Sequence, residues 1–325
     1  MVPIISLEDH FVSEALYGSP SVSRLGLHVF PAEVVSKLRD IREGRLNDLD
    51  SGGISLQVIS AVPCVETPEV CRQTNLQIAE SVRDFPTRFR GFACLPMADQ
   101  EAACRELEYC VKELGFLGAM IPNHADGTFY DSELYLPFWK TAEKLNALIY
   151  VHPPPPHLTH AGHYHGNYSK DLGMILGMHL WGWHADTGSH ILRLFLSGLF
   201  DKAPQLKIVL GHMGEMLPFM KGRIQYATGH NWLKYRRNFN QVWDENLWFT
   251  TSMFDITAMA CLIRSASIDR IMYSVDYPLV SMDDGIQFID QLRKSGLLTE
   301  SDFDKVLYKN AQRLLGLEIQ REETT

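Results

Sequence analysis

Short apolar runs alternate with amphipathic stretches along the whole chain. The apolar runs predict eight β-strands, at residues 3–8, 54–60, 89–95, 117–121, 147–152, 207–211, 247–252 and 270–275. The stretches 101–114, 132–146, 188–201, 214–228 and 284–294 carry apolar side chains three or four positions apart, as on one face of a helix. Strands that alternate with helices in this way predict an α/β fold, and their number favours a (β/α)8 TIM-like barrel.

A doubly wound parallel sheet is the alternative fold. It would need a glycine-rich phosphate-binding turn after the first strand, and the sequence has none there. No linker divides the chain, so we expect residues 1–325 to form a single domain. Two connections are long for a barrel, residues 11–50 after the first strand and residues 153–187 after the fifth.

The second long connection is rich in histidine. It opens with four prolines and then contains His157, His160, His163, His165, His179 and His184. Their spacing is irregular, which does not favour a metal site. Long loops in compact domains often act as lids or binding elements, so we predict that residues 153–187 form a polar lid or a subunit interface.

The charge and composition exclude some classes of partner. The chain has 46% hydrophobic and 21% charged residues, as in an ordinary globular enzyme, and its net charge of −9 argues against nucleic acid. An anionic substrate remains possible because a bound metal ion outweighs a diffuse surface field. No apolar stretch is long enough to suggest a membrane span, and the first residues do not resemble a secretory signal.

The cysteines indicate a reducing compartment. Six are present, at positions 64, 71, 94, 104, 110 and 261, and none forms a Cys-x-x-Cys pair. Free, buried thiols are therefore a better expectation than disulfides or zinc thiolates. Together with the absence of a membrane or secretory segment, this predicts a cytoplasmic protein.

The first apolar run ends in Glu8-Asp9-His10, where a carboxylate and an imidazole lie two residues apart. Alternate side chains of an extended strand point to the same side, so Glu8 and His10 can converge while Asp9 faces elsewhere. Oxygen and nitrogen donors that converge at the end of a strand suit a divalent metal ion.

Three later predicted strands also end in polar side chains. They are followed by His152, His212 and Asp276. Barrel enzymes place their chemistry at the carboxyl ends of the strands, so these residues are expected to meet Glu8 and His10. A ligand set of Glu8, His10, His152 and Asp276 contains no thiolate and allows Zn²⁺, Mn²⁺ or Mg²⁺, and its histidines favour the first two. We predict one ion per chain, with Zn²⁺ as the first choice.

Three further residues are candidates for catalysis or substrate binding. His212 and Glu215 are three residues apart at the start of the helix predicted for 214–228, where the carboxylate can orient the imidazole as an acid or base. Arg223 follows two turns later, and its guanidinium suits a carboxylate of the substrate or of a neighbouring subunit.

Four segments together resemble the amidohydrolase superfamily. They are SLEDHF (6–11), LIYVHP (148–153), the stretch from His190 to Phe219, and DRIMYSVDYP (269–278). The resemblance is to the branch of metal-dependent, non-oxidative aromatic acid decarboxylases, such as the γ-resorcylate and 2,3-dihydroxybenzoate decarboxylases. It implies the four metal ligands given above, His212 as the active-site histidine with Glu215 as its partner, Arg223 in substrate or subunit contacts, and a barrel that forms homodimers or homotetramers.

Two details bear on the site within this resemblance. Relatives often carry an aromatic residue just beyond the Asp-(Trp/Tyr)-Pro motif, where this chain has Leu279-Val280, so the substrate's ring substituents stay open. The fourth strand ends in Pro122-Asn123 and offers no lysine for a carbamylated binuclear centre. This supports a single metal ion.

The function predicted from these features is decarboxylation of an ortho-hydroxylated aromatic acid to a phenol and CO₂. The metal would bind the carboxylate and the adjacent phenolic oxygen, and a proton would be delivered to the ring carbon that bears the carboxylate, from Asp276 or His212. The first alternative is hydrolysis of a small lactone or amide by metal-activated water, whose pKa would be roughly 7. The second is a non-catalytic metal- or ligand-binding protein.

Overall fold

The structure, a computed structural model, describes residues 2–27, 30–157, 161–229 and 236–317. Its centre is a sheet of eight parallel strands in chain order, β1 to β8. The strands are Ile5–Phe11, Leu56–Ala61, Phe89–Ala93, Gly118–Pro122, Leu148–His152, Lys207–Leu210, Leu247–Thr250 and Ile271–Met272. Backbone hydrogen bonds from Asp276 to Glu8 and from His10 to Tyr277 join the two ends of the sheet. The predicted (β/α)8 barrel is confirmed.

Helices lie between the strands. In chain order, α1 to α15 are Pro20–Arg24, Ala32–Arg39, Glu43–Ser51, Pro68–Asp84, Gln100–Lys112, Leu136–Lys144, Lys170–Ile175, Gly182–Leu196, Leu199–Lys202, Leu217–Thr228, Phe239–Asn246, Ile256–Ser265, Met282–Ser295, Glu300–Asp304 and Asn310–Leu315. Several of them begin at a polar cap, as α4 does at Thr67 and α5 at Asp99, whose side chains accept a backbone N–H of the first turn.

The first and last strands differ from the prediction in length. β1 continues to Phe11 because His10 and Phe11 still pair with Ser60 and Ala61 of β2, so the Glu8-Asp9-His10 group lies inside the strand. β8 ends at Met272, earlier than predicted. Beyond it, side-chain hydroxyls replace backbone partners, since Ser274 N–H donates to Thr251 Oγ1 at 3.1 Å.

A left-handed turn replaces the predicted start of the helix at 214–228. Residues 212–216 all have positive φ angles, and the right-handed helix α10 begins only at Leu217. Gly214 sits at the centre of this turn with φ +87°, and an added Cβ would come within 2.9 Å of Pro218 Cγ. The expectation that His212 and Glu215 open a helix is therefore wrong, because helical periodicity in the sequence does not report the handedness of a short turn.

Both long connections contain helices. The connection after β1 contains α1, α2 and α3, whereas residues 153–187 contain α7, a π-helical stretch Leu176–Leu180 and the start of α8. His160 lies outside the described residues. In the part of the chain that the structure describes, no helix is both long and apolar enough to cross a membrane.

The cysteines are all free thiols. Cys64, Cys71, Cys94 and Cys110 are buried, whereas Cys104 and Cys261 are half-buried.

Candidate metal centre

Four predicted ligands meet at the carboxyl end of the barrel. Glu8 and His10 lie in β1, His152 ends β5, and Asp276 follows β8. All four side chains are buried, and one nitrogen or oxygen atom from each lies within 4.8 Å of the other three. The barrel thus brings together residues that are up to 268 positions apart in the chain.

The facing atoms of this group lack ordinary partners. His10 Nε2 is 3.0 Å from Asp276 Oδ1, and His152 Nε2 is 3.1 Å from Glu8 Oε1. Among the described residues, none of these four buried atoms makes a hydrogen bond of good geometry. Buried polar atoms without partners are costly and rare in proteins. A divalent cation between them would satisfy all four, so the residues fit a metal ion.

The protonation states also suit metal binding. Burial lowers the pKa of His10 to about 4 and lowers that of His152 as well, which keeps both imidazoles neutral. Burial opposes the charge of Glu8, but the nearby charge of His212 outweighs it and lowers the pKa of Glu8. Neutral imidazole and carboxylate are the forms that bind metals.

The ring of His152 is oriented by the backbone. Its Nδ1 lies 3.0 Å from the carbonyl oxygen of Pro153 and donates to it, which leaves Nε2 as the lone-pair nitrogen. Nε2 is the atom that faces Glu8. The carbonyl group of Pro153, the first residue after β5, thus orients the His152 ring with Nε2 towards the other ligands.

Asp276 differs from the other carboxylate of the group. Burial and the nearby charge of Glu8 raise its pKa to about 7. Its backbone has a φ of +68° and its N–H donates to the carbonyl oxygen of Glu8 at 2.8 Å. This carboxyl group can therefore carry a proton near neutral pH or release it to bind a cation.

Glu215 is held between two imidazoles. His212 Nδ1 and His184 Nδ1 each lie 2.7 Å from a different oxygen of its carboxylate, and each donates to it. Burial raises the pKa of Glu215, but the two histidines outweigh this and lower it to about 2. The predicted His212–Glu215 pair is present, and His184 extends it into a chain of three.

His212 faces the ligand group with its other nitrogen. Nε2 lies 3.5 Å from Glu8 Oε1 and 3.9 Å from Asp276 Oδ2. Burial alone would lower the pKa of His212, but the carboxylates of Glu215 and Glu8 outweigh it and raise the pKa to about 10. Nε2 can thus carry a proton at the edge of the centre.

The sequence did not point to His184 as a site residue. It lies in α8, which begins within the histidine-rich connection, and nothing in the irregular spacing separates it from its neighbours. Its ring centroid is 5.0 Å from that of His212. Only the packing of α8 against the left-handed turn selects this histidine.

A buried arginine contacts the backbone of one of the ligands, and the sequence did not point to it either. Arg45 of α3 is fully buried, and its Nη2 donates to the carbonyl oxygen of His10 at 2.5 Å. Its guanidinium carbon lies 4.7 Å from the centre of the Tyr277 ring. Asp9, which faces away from the ligands as predicted, accepts a hydrogen bond from Tyr277 N–H at 3.1 Å. An arginine in a largely polar helix gives no sequence signal of such a role.

Arg223 lies apart from the ligand group. It is exposed on α10, on the same face as Phe219 and Tyr226, which are 83% and 70% exposed. Residues four and three positions apart on a helix share a face. The role predicted for Arg223, in substrate or subunit contacts, stays a prediction.

A cavity of about 410 Å³ opens at the same end of the barrel. It is bounded by the segments that follow β1, β2, β4 and β5, and its walls include Val65, Pro154, Pro155, Met174 and Met178. The volume is in the range of small-molecule sites. The histidine-rich connection forms one side of it, as a lid would.

A comparison with known families accounts for this arrangement. The amidohydrolase family profile matches residues 45–317. The chain belongs to the amidohydrolase family. The predicted resemblance is thereby confirmed.

Named relatives identify the branch of the family. The chain is 40% identical to decarboxylase orsB of Emericella nidulans, with 99% of each chain covered. It is 36% identical to the γ-resorcylate decarboxylase of a Polaromonas species, over 96% of this chain and 98% of the relative. These relatives are carboxy-lyases. The prediction of the decarboxylase branch is confirmed, and the hydrolase alternative is not favoured.

A solved structure supports the metal. The dihydroxybenzoic acid decarboxylase from Polaromonas, with bound manganese and the inhibitor 2-nitroresorcinol, has a TM-score of 0.86 and 33% identity, with 100% of both chains covered. That structure and the group of Glu8, His10, His152 and Asp276 both support the prediction of a divalent metal ion.

Proposed function

We propose that this amidohydrolase family member decarboxylates an ortho-hydroxylated aromatic carboxylic acid to the phenol and CO₂ without an oxidant. The observation that carries the proposal is the buried group of Glu8, His10, His152 and Asp276, whose facing atoms have no hydrogen bonds among the described residues. The decarboxylases to which the chain is 36–40% identical support the reaction type.

The four ligands would hold one divalent ion per chain. Two imidazoles and two carboxylates suit Zn²⁺ and Mn²⁺, and the Polaromonas structure contains manganese. When bound, the ion supplies positive charge to the carboxylate and the adjacent phenolic oxygen of the substrate. Reconstitution with each ion would show which gives the higher rate.

The proton for the ring comes from the edge of the centre. His212 presents Nε2 there, while Glu215 holds its Nδ1 and favours the charged imidazolium. Asp276 is the second candidate donor, since its oxygens lie beside the same nitrogen. A proton delivered to the ring carbon that bears the carboxylate interrupts aromaticity, and loss of CO₂ restores it.

The substrate would approach from the carboxyl end of the barrel, where the cavity lies. Its volume accommodates a benzene ring with several substituents. Leu279 and Val280 are half-buried just beyond Asp276, and their backbone N–H groups both donate to the carbonyl oxygen of Asp276. Because Leu279-Val280 stands where relatives often carry an aromatic residue, methylated salicylates are candidate substrates along with dihydroxybenzoates.

We also propose that the protein is a cytoplasmic homodimer or homotetramer. Phe219 and Tyr226 expose a large aromatic surface on α10, with Arg223 between them. A second copy of the chain would cover these rings and give the guanidinium a buried carboxylate to bind. The six free thiols agree with a reducing compartment.

The test is the product formed from a panel of substrates. Purified enzyme would be incubated with salicylate, its methylated and dihydroxylated derivatives, and a set of small lactones and amides. We expect CO₂ and the matching phenol from the salicylates. Ring opening of a lactone without CO₂ release would favour hydrolysis, and no turnover of any compound would favour a binding protein.

A further inference from the structure

The two oxygens of the Glu8 carboxylate have different surroundings. Oε2 accepts a hydrogen bond from the hydroxyl of Tyr150 at 2.5 Å and another from the hydroxyl of Thr250 at 3.1 Å. Oε1 forms no hydrogen bond among the described residues and lies 3.1 Å from His152 Nε2. One oxygen is therefore satisfied by the protein, while the other faces the remaining ligands.

The Thr250 hydroxyl has a single proton, which it shares between Glu8 Oε2 and the hydroxyl oxygen of Tyr150. Tyr150 lies in β5 and Thr250 ends β7, and their oxygens are 2.7 Å apart. Both side chains are buried, and Glu8 is fully buried as well. The two hydroxyls anchor one oxygen of the Glu8 carboxylate on the side away from the other ligands, so a single oxygen turns towards the centre.

A glycine makes room for this arrangement. Gly211 follows β6, and a Cβ added to it would lie 2.7 Å from Glu8 Oε1 and 2.8 Å from the hydroxyl oxygen of Tyr150. Any side chain at this position would displace one or the other. Residues in or next to three neighbouring strands, β5, β6 and β7, thus surround the carboxylate of Glu8, which lies in β1.

From this geometry we infer that Tyr150 and Thr250 are positioning residues that make Glu8 a one-oxygen metal ligand through Oε1. The inference rests on the proposed metal site. A chelate through both oxygens would place the ion in competition with the hydrogen bond from Tyr150, and with the shared one from Thr250, for Oε2 in a buried environment, which is costly. With Oε2 held, the carboxylate is preorganised before the ion arrives.

The test measures metal affinity. Wild-type, Tyr150→Phe and Thr250→Val proteins would be stripped of metal, and the binding of Mn²⁺ would be followed by competition with a chromophoric chelator. Hydrogen-bond partners of metal ligands typically contribute about 10- to 100-fold to affinity, so we expect a loss of that size for Tyr150→Phe and a measurable loss for Thr250→Val. Thr250→Ser, which keeps the hydroxyl, should restore wild-type affinity.

Tyr130→Phe is the matched control. Tyr130 is a buried tyrosine whose hydroxyl has no hydrogen-bond partner among the described residues, and it lies outside the ligand group. This variant should bind Mn²⁺ like the wild type. Unchanged affinity in both Tyr150→Phe and Thr250→Val would overturn the inference but leave the proposed function standing. A wild-type protein that binds no divalent ion would instead refute the metal site itself.

Discussion

At the scale of single residues, the orientation of His212 depends on the hydrogen bonds that the Glu215 carboxylate accepts. Glu215 gives one oxygen to His212 and the other to His184, both at 2.7 Å. A carboxylate bound on both sides cannot rotate, so the ring of His212 is fixed with Nε2 towards Glu8 and Asp276. We therefore expect His212 to act as a proton carrier beside the metal site and not as one of its ligands.

Replacement of His212 by Ala separates these two roles. We expect metal content to stay at the wild-type level, because the group of four ligands does not include His212. Turnover should fall by roughly 10²- to 10⁴-fold, the usual contribution of a positioned acid or base. Elemental analysis and a CO₂ assay measure the two quantities. A loss of metal as large as that caused by His152→Ala would instead make His212 a primary ligand.

His184 offers a milder change at the far end of the chain of three. We predict that His184→Ala lowers kcat by about 10- to 100-fold, the range for partners that orient a functional group, with metal content unchanged. His184→Asn can still donate an N–H to Glu215 and should recover part of the rate. His163→Ala, at an exposed position of the same connection, is the control. Equal rates for His184→Ala and this control would show that Glu215 needs only His212.

The sequence identified the expected metal ligands but not the residues that orient the site. Glu8, His10, His152 and Asp276 each follow or end an apolar run, and the barrel rule then assigns them to one face. His184 and Tyr150 carry no such mark, since one lies in a helix and the other looks like an ordinary strand residue. Their roles arise from contacts across the barrel, which periodicity along the chain does not encode.

At the scale of elements, the turn at 212–216 sets the active-site geometry. Five successive residues with positive φ angles hold His212 and Glu215 close together, although L-residues disfavour this region. The two side chains meet at 2.7 Å through this turn and not through a helical repeat. Helical periodicity in residues 217–228 masked the turn in the sequence, so the predicted start of the helix was wrong.

Gly214→Ala tests the turn. The new Cβ would be placed at φ +87° and within 3.0 Å of Pro218 Cγ and Phe249 Cδ1. We expect the free energy of unfolding to fall by about 1–2 kcal/mol, the cost of a left-handed L-residue, and turnover to fall as His212 shifts. Denaturant unfolding and the CO₂ assay measure both. Gly222→Ala, where an added Cβ meets nothing within 4 Å, is the control, and equal stability of the two variants would contradict the account.

Strand lengths show a second limit of the sequence. Most of the predicted strands are present near their expected positions, because buried strands of a parallel sheet are short apolar runs. β8 is shorter than its apolar run, since hydroxyls of Ser6 and Thr251 take over hydrogen bonds beyond Met272. Side-chain hydroxyls that complete a sheet cannot be recognised before the partners are known.

At the scale of the whole molecule, the barrel fold was predictable and the oligomer was not. Eight alternating elements specify the fold class, and the carboxyl ends of the strands specify where the site lies. The extent of the domain, residues 1–325, stays a prediction because the chain includes residues outside the described ranges, and the contact expected of Arg223 stays one because it involves a substrate or a second subunit. The cavity and the ligand group nevertheless lie at one end of the barrel, which is what an enzyme of this family requires.

The substrate preference follows from the whole site. If the metal ion contacts both the carboxylate and an ortho oxygen, a benzoate with only a meta hydroxyl loses one charge interaction in the transition state. Such a loss costs roughly 3–4 kcal/mol, so the meta isomer should react at least about a hundredfold more slowly than salicylate. Steady-state rates at saturating substrate measure the difference. Similar rates for the two isomers would rule out a chelated substrate.

Metal dependence tests the central claim most directly. Protein stripped of metal would be titrated with Mn²⁺ or Zn²⁺, and CO₂ release from the best salicylate would be measured together with bound metal. We predict that the rate rises in proportion to bound metal and saturates at one ion per chain, whereas His10→Ala and His152→Ala bind no ion and release no CO₂. Full CO₂ release by metal-free wild-type protein would contradict the account.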